Sequence, residues 1–70
     1  MYFSKPDLNS LAARVKKNPR DLSAHHQLIP VAIESLNFDL AKASVELAFS
    51  LDSFNQHTLF LYARFLEEIG

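Results

Sequence analysis

Three histidines, His25, His26 and His57, are the first residues of this 70-residue chain to invite a chemical site. A zinc ion takes three or four ligands in tetrahedral geometry. His25 and His26 are adjacent, and adjacent side chains on a helix point about 100° apart, so they do not easily share one ion. His57 can approach one of them from a neighbouring hairpin, which leaves two imidazoles without an obvious carboxylate. Surface or half-buried histidines with no metal are expected. Cysteine is absent, which excludes disulfides and thiolate sites. Ser, His and Asp are present, but there is no G-x-S-x-G, no H-E-x-x-H and no glycine-rich phosphate loop. Glu67 and Glu68 lie on different helical faces and read as a solvated pair, not an acid–base dyad. A single glycine leaves little material for pocket-forming loops. We therefore expect no catalytic, cofactor-binding or metal-binding residue.

Charge narrows the partners. The net charge of −1 is unevenly spread. Up to Asp21 the chain carries Lys5, Arg14, Lys16, Lys17 and Arg20 against Asp7 and Asp21; beyond it acids dominate. Such asymmetry fits a nucleic-acid arm or head-to-tail association. It also fits a solvated helix end whose bases complement the macrodipole. In a DNA-binding helix–turn–helix, the helix after Ser53 would read the groove. It carries Leu59, Phe60, Leu61 and Tyr62 with Arg64 as its one base, and the turn before it has no glycine. Nucleic acid is thus not the expected partner. No apolar run approaches the roughly 20 residues of a membrane span, and the start lacks the regions of a signal peptide. A cytoplasmic location away from membranes is expected.

The elements that position these residues are helical. Hydrophobic content is 49%, prolines stand at 6, 19 and 30, and strand-like alternation is missing. Leu8, Leu11, Ala12 and Val15 mark one face of a first helix, which Ser4 can cap with Pro6 in its first turn. Asn18-Pro19 ends it. Asp21 can cap a second helix with Leu22, Leu28, Ile29, Ala32 and Leu36 on its apolar face. Pro30 is expected to distort this helix, because it removes a donor and crowds the His26 carbonyl. Asn37 can close it and open a third helix carrying Phe38, Ala41, Val45, Ala48, Phe49 and Leu51. Asp52-Ser53 breaks that helix. Ser53 and Gln56 fit a capping box for a fourth, which carries Leu59, Tyr62, Ala63, Leu66 and Ile69. Connections this short favour antiparallel neighbours.

The chain also matches itself at an offset of 34 residues. Leu28, Ile29 and Ala32 return as Tyr62, Ala63 and Leu66, and Leu36 as Gly70. Leu11 and Val15 return as Val45 and Phe49, and Asn18-Pro19 as Asp52-Ser53. A 34-residue period is that of a helix–turn–helix repeat.

From Leu22 to Asn55 the chain resembles one tetratricopeptide repeat. Leu28 and Ala32 match core positions of the first helix, Ala41 and Ala48 match the paired alanines of the second, and Phe38 matches the aromatic at the turn. His25, Ile29 and Leu36 depart from the pattern, standing for a bulky residue, a small residue and a glycine. The first helix resembles the second half of a repeat, but Asp7 and Arg14 fall where alanines belong, as in a cap. The resemblance implies an all-α fold of four antiparallel helices in stacked hairpins. It divides one domain, 1–70, into a capping helix 6–17, a full repeat 22–55 and a half repeat 55–70. Ala41 and Ala48 would lie where helices approach most closely.

The resemblance further implies a non-catalytic protein–protein interaction module. Its groove would be lined by Ser23, His26, Pro30 and Ile33 and by His57, Phe60, Arg64 and Glu67. Such a mixed apolar and aromatic groove suits an amphipathic helix or an extended peptide of a partner protein. The fourth helix is apolar nearly all round, which is the mark of a buried helix. Leu61, Phe65 and Ile69 are expected to be left uncovered and to pair two copies about a two-fold axis. A small homo-oligomerisation domain is the alternative, with a DNA-binding helical domain behind it.

Overall fold

The computed structural model describes residues 7–70 and contains four helices: α1 (Leu8–Lys17), α2 (Leu22–Glu34), α3 (Phe38–Leu51) and α4 (Gln56–Ile69). There is no strand among the described residues, and the fold is all-α. Ser4 and Pro6, the expected opening of α1, lie outside the described residues. The N-cap is Asp7, whose Oδ1 accepts the Ser10 N–H at 2.7 Å. That bond holds the Asp7 carboxyl below the usual carboxylate range.

The 34-residue period is visible in the corners. Asn18 and Asp52 end α1 and α3 with similar extended backbones, φ −138° ψ 83° and φ −154° ψ 93°. Each carbonyl then accepts the N–H of the residue three further on, Asp21 at 3.1 Å and Asn55 at 3.2 Å. Asp21 and Asn55 in turn cap α2 and α4 through Ala24 N–H and Thr58 N–H. The expected Ser53–Gln56 capping box does not form. Ser53 Oγ instead donates back to the Phe49 carbonyl at 3.1 Å, and Asp52 Oδ1 accepts the Phe54 N–H, which leaves Asn55 to take the cap.

The α2–α3 turn is a Schellman motif. Leu36 N–H donates to the Ile33 carbonyl and Asn37 N–H to the Ala32 carbonyl. This requires a left-handed residue at Leu36, whose φ is 60°. A leucine there strains its Cβ against the following carbonyl. Its side chain is 71% exposed, so it is no part of the α2 core face, contrary to the sequence expectation. Leu36→Gly is expected to stabilise the domain by about 0.5–1 kcal/mol, read as a higher urea midpoint at unchanged slope. A lower midpoint would show that the leucine makes contacts outweighing its strain.

Pro30 does not interrupt α2, which runs as one helix from Leu22 to Glu34. An interior proline costs about 3 kcal/mol. Burial on both sides of it offsets that cost: Leu28 and Ile29 precede it, Ala32 and Ile33 follow, and all four are buried.

Helix α2 packs against α1, α3 and α4, and α3 also packs against α4. The core joins Ile29, Ala32 and Ile33 of α2 to Ala41, Val45 and Ala48 of α3 and to Leu61 and Phe65 of α4. Ala41 and Ala48 are fully buried.

One expectation is reversed. Leu61 and Phe65, expected to be uncovered self-association residues, are 2% and 3% exposed and lie in the core. Leu59 and Leu66 are exposed instead, and of the three expected self-association residues Ile69 alone is uncovered. Helix α4 is apolar on more than one side, so its own periodicity does not select a face. The apolar faces of α2 and α3 select it: Leu61 and Phe65 join their core cluster, and Thr58 is buried on the same side of α4.

Candidate partner-binding surface

The three histidines separate into two environments. His25 is fully buried. Its Nε2 lies 2.7 Å from the Pro19 carbonyl and its Nδ1 2.7 Å from Ser44 Oγ. A carbonyl only accepts, so Nε2 carries the proton and donates, and in the neutral ring Nδ1 accepts from the Ser44 hydroxyl. One side chain thereby ties the α1–α2 corner to α3. The bulky position of the repeat pattern is thus filled by a hydrogen-bonded ring.

His26 reaches the other way, to α4. Its Nε2 is 2.6 Å from Thr58 Oγ1, and its ring lies 4.3 Å, centroid to centroid, from that of His57 at an interplanar angle of 42°. Two of the eight expected groove residues therefore meet. The partner of His57 is His26, while His25 points into the core. Among the described residues no group of three or more His, Cys, Asp or Glu side chains stands close enough to hold a metal.

The His26 imidazole is held below its usual 6.5, first by burial, then by the charge of His57 and of His25. The sign follows directly. Well above pH 6.5 the ring is neutral both folded and unfolded, and it costs the fold nothing. As pH falls from 6.5 through the lowered folded value, the unfolded chain takes up the proton first and stability is lost. The urea midpoint is expected to drop as the pH is lowered through 6.5. His26→Gln should flatten that drop; an equally steep profile in the variant would assign it to other groups.

The remaining expected groove residues fall in different places. Phe60 is 66% exposed and Arg64 is half-buried on the same flank of α4 as His57. Ile33 is not in a groove at all: it is 3% exposed and belongs to the core with Ile29, Leu61 and Phe65. Ser23 and Glu67 are exposed and Pro30 is half-buried. Arg14, unlike the alanine of the repeat pattern, works at the α1–α2 joint. It donates to Gln27 Oε1 at 3.1 Å and stands 3.7 Å from Asp21 Oδ2. With both partners partly exposed, that ion pair contributes at most about 1 kcal/mol.

The uncovered apolar face expected on α4 exists, with Ile69 as the one expected residue on it. Leu59, Leu66 and Ile69 line the outward side of α4, with half-buried Tyr62 between them and exposed Ala63 at the edge. Tyr62 meets Phe49 of α3 edge-on at 5.7 Å, so this face continues onto α3. Phe54 in the α3–α4 corner is almost wholly exposed. The sequence signal was the all-round apolarity of α4; which side stays uncovered depends on tertiary packing.

Buried side-chain polar atoms of the described residues all have partners. No helix among them is long and apolar enough to cross a membrane. Comparison with known proteins finds no matching family model, no matching curated sequence and no matching solved structure. What fold and surface define is a small all-helical domain with an internal 34-residue repeat of corners and two unlike exposed flanks on α4.

Proposed function

We propose that this chain is a non-catalytic protein–protein interaction module of tetratricopeptide type, which takes a helix or peptide of a partner along the α2–α4 flank. The carrying observation is Phe60, a large aromatic standing in solvent beside the His26–His57 pair and Arg64. A partly exposed base next to an exposed aromatic is the composition that recurs at binding hot spots. The packing order supports the repeat architecture: α2 touches every other helix, while α1 and α3 do not touch each other. This is the adjacency expected when the first helices of successive hairpins line one side and the second helices the other. The recurrence of cap and corner geometry at 34 residues supports it independently.

Selection of displayed peptides on the immobilised domain tests this reading. Enriched sequences should be amphipathic, and their binding should be lost in Phe60→Glu and weakened in Arg64→Glu. Both residues have exposed surface, so helicity and melting should be unchanged. Absence of enrichment, or enrichment indifferent to Phe60→Glu, would overturn the assignment of this flank.

A further inference from the structure

Helix α4 has the surface of a helix that is covered, without the cover. At the 34-residue offset, Leu59, Tyr62 and Leu66 correspond to His25, Leu28 and Ala32 of α2. Those three are fully buried in α2, which α3 packs against. The same face of α4 meets no further helix among the described residues, and Leu66 is 52% exposed. The missing neighbour is therefore a helix. The sequence-equivalent of α3 is α1, so a second copy stacking head to tail would offer α1. The face it would offer is the wrong one. Where α3 carries Ala41 and Ala48, α1 carries Asp7 and Arg14, and Arg14 is already engaged with Gln27 and Asp21. Seating two charged groups on an apolar stripe costs desolvation with nothing to compensate it.

Another α4 fits the stripe. Leu59, Tyr62, Ala63, Leu66 and Ile69 include no charged residue, so pairing the stripe with itself buries no charge. The charges at the C-terminal end of α4 also oppose its own macrodipole. It has no acid in its first turn and no base in its last, where Glu67 and Glu68 stand. An antiparallel copy corrects this. Glu67 lies about 40° beyond Ala63 around the helix. Antiparallel pairing carries it towards the positive N-terminal turn of the opposing helix, where His57 also sits. A parallel copy would instead place four glutamates together.

We infer that this chain pairs with a second copy of itself through the outward stripe of α4, antiparallel about a two-fold axis near Ala63, which leaves the Phe60 flank free. This inference rests on the interaction-module reading but uses a different surface. The result is closed and isologous: the bare side of each copy is consumed, and the α1 side, with Asp7 and Arg14, ends the stack.

Sedimentation of the whole chain from about 1 to about 200 μM covers micromolar self-affinity. The expected result is a dimer that Leu66→Glu converts to monomer across the range, with the helical spectrum retained and a melting midpoint that no longer rises with protein concentration. Phe60→Glu should remain dimeric. Cysteine is absent from the chain, so single introduced cysteines give an independent readout in otherwise native protein. Ala63→Cys should cross-link to itself on oxidation. Leu59→Cys alone should not, whereas Leu59→Cys mixed with Ile69→Cys should. A monomeric native chain at the top concentration overturns the pairing but leaves the peptide-binding flank to its own test. A dimer split by Phe60→Glu and not by Leu66→Glu, self-cross-linking of Leu59→Cys, or open polymers in place of dimers would each overturn it as well.

Discussion

Phe65→Glu is expected to unfold the domain, while Leu66→Glu at the next position leaves it folded. Phe65 is 3% exposed and packs with Ile29, Ile33, Val45 and Leu61 across three helices. Truncating a buried phenylalanine to alanine already costs about 3–5 kcal/mol. A glutamate adds the desolvation of a carboxylate with no cation in that cluster, and the group must either pay this or take up a proton. A chain of 70 residues has little stability in reserve. Far-ultraviolet circular dichroism at pH 7 should show the helical signal of Phe65→Glu lost and that of Leu66→Glu retained. Retention in both would mean that α4 can turn about its axis and present either apolar side to the core.

The second large effect is at His25. His25→Ala removes two buried hydrogen bonds and most of a ring from a fully closed site. Ser44 Oγ, itself buried, loses a partner, at about 1–3 kcal/mol for a buried group left unsatisfied, whereas the carbonyl of exposed Pro19 can turn to water. With the cavity added, the loss is expected to be about 3–5 kcal/mol in total. Equilibrium urea unfolding measures it. Adding Ser44→Ala to His25→Ala should recover part of the loss, because the unsatisfied hydroxyl is then gone. Additive losses in the double variant would mean that the two side chains are energetically independent despite the 2.7 Å between them.

The local features of this fold were legible in the sequence, and the non-local ones were not. Asp21 and Asn37 were identified as caps because a cap acts over three residues. At the fourth helix the same reasoning pointed to Ser53 and missed Asn55. The choice fell to Asn55 once Asp52 had turned the chain through Phe54 N–H. Leu36 was visible as an anomaly at a glycine position, and its φ of 60° is the strain that anomaly implied. Burial of His25 was hidden, since its partners lie six residues back and nineteen ahead. The side of α4 that faces inward was hidden for another reason. A helix with leucines and phenylalanines around most of its circumference carries no periodic vector, so the cleft on α2 and α3 makes the choice. Ile33 went to the core instead of the groove by the same logic, because Leu61 and Phe65 came to it. For the candidate surface, the repeat resemblance placed His26 and His57 in the groove; that His57 meets His26 and not His25, with Thr58 as the hydrogen-bond partner of His26, needed α2 and α4 placed side by side.

The central position of α2 governs how the molecule comes apart. Every other helix rests on α2, and α1 touches nothing else. Opening α2 to solvent therefore requires another helix to leave first, whereas α1 can peel away with the rest intact. Stability distributed in this way approximates a short one-dimensional chain of units that open from its ends. Native-state amide exchange should rank the helices accordingly. Amides of α2 around Leu28 and Ile29 should exchange only through global unfolding, and those of α1 through a cheaper, partial opening. Protection in α4 should rise with protein concentration to the extent that its outer face is occupied.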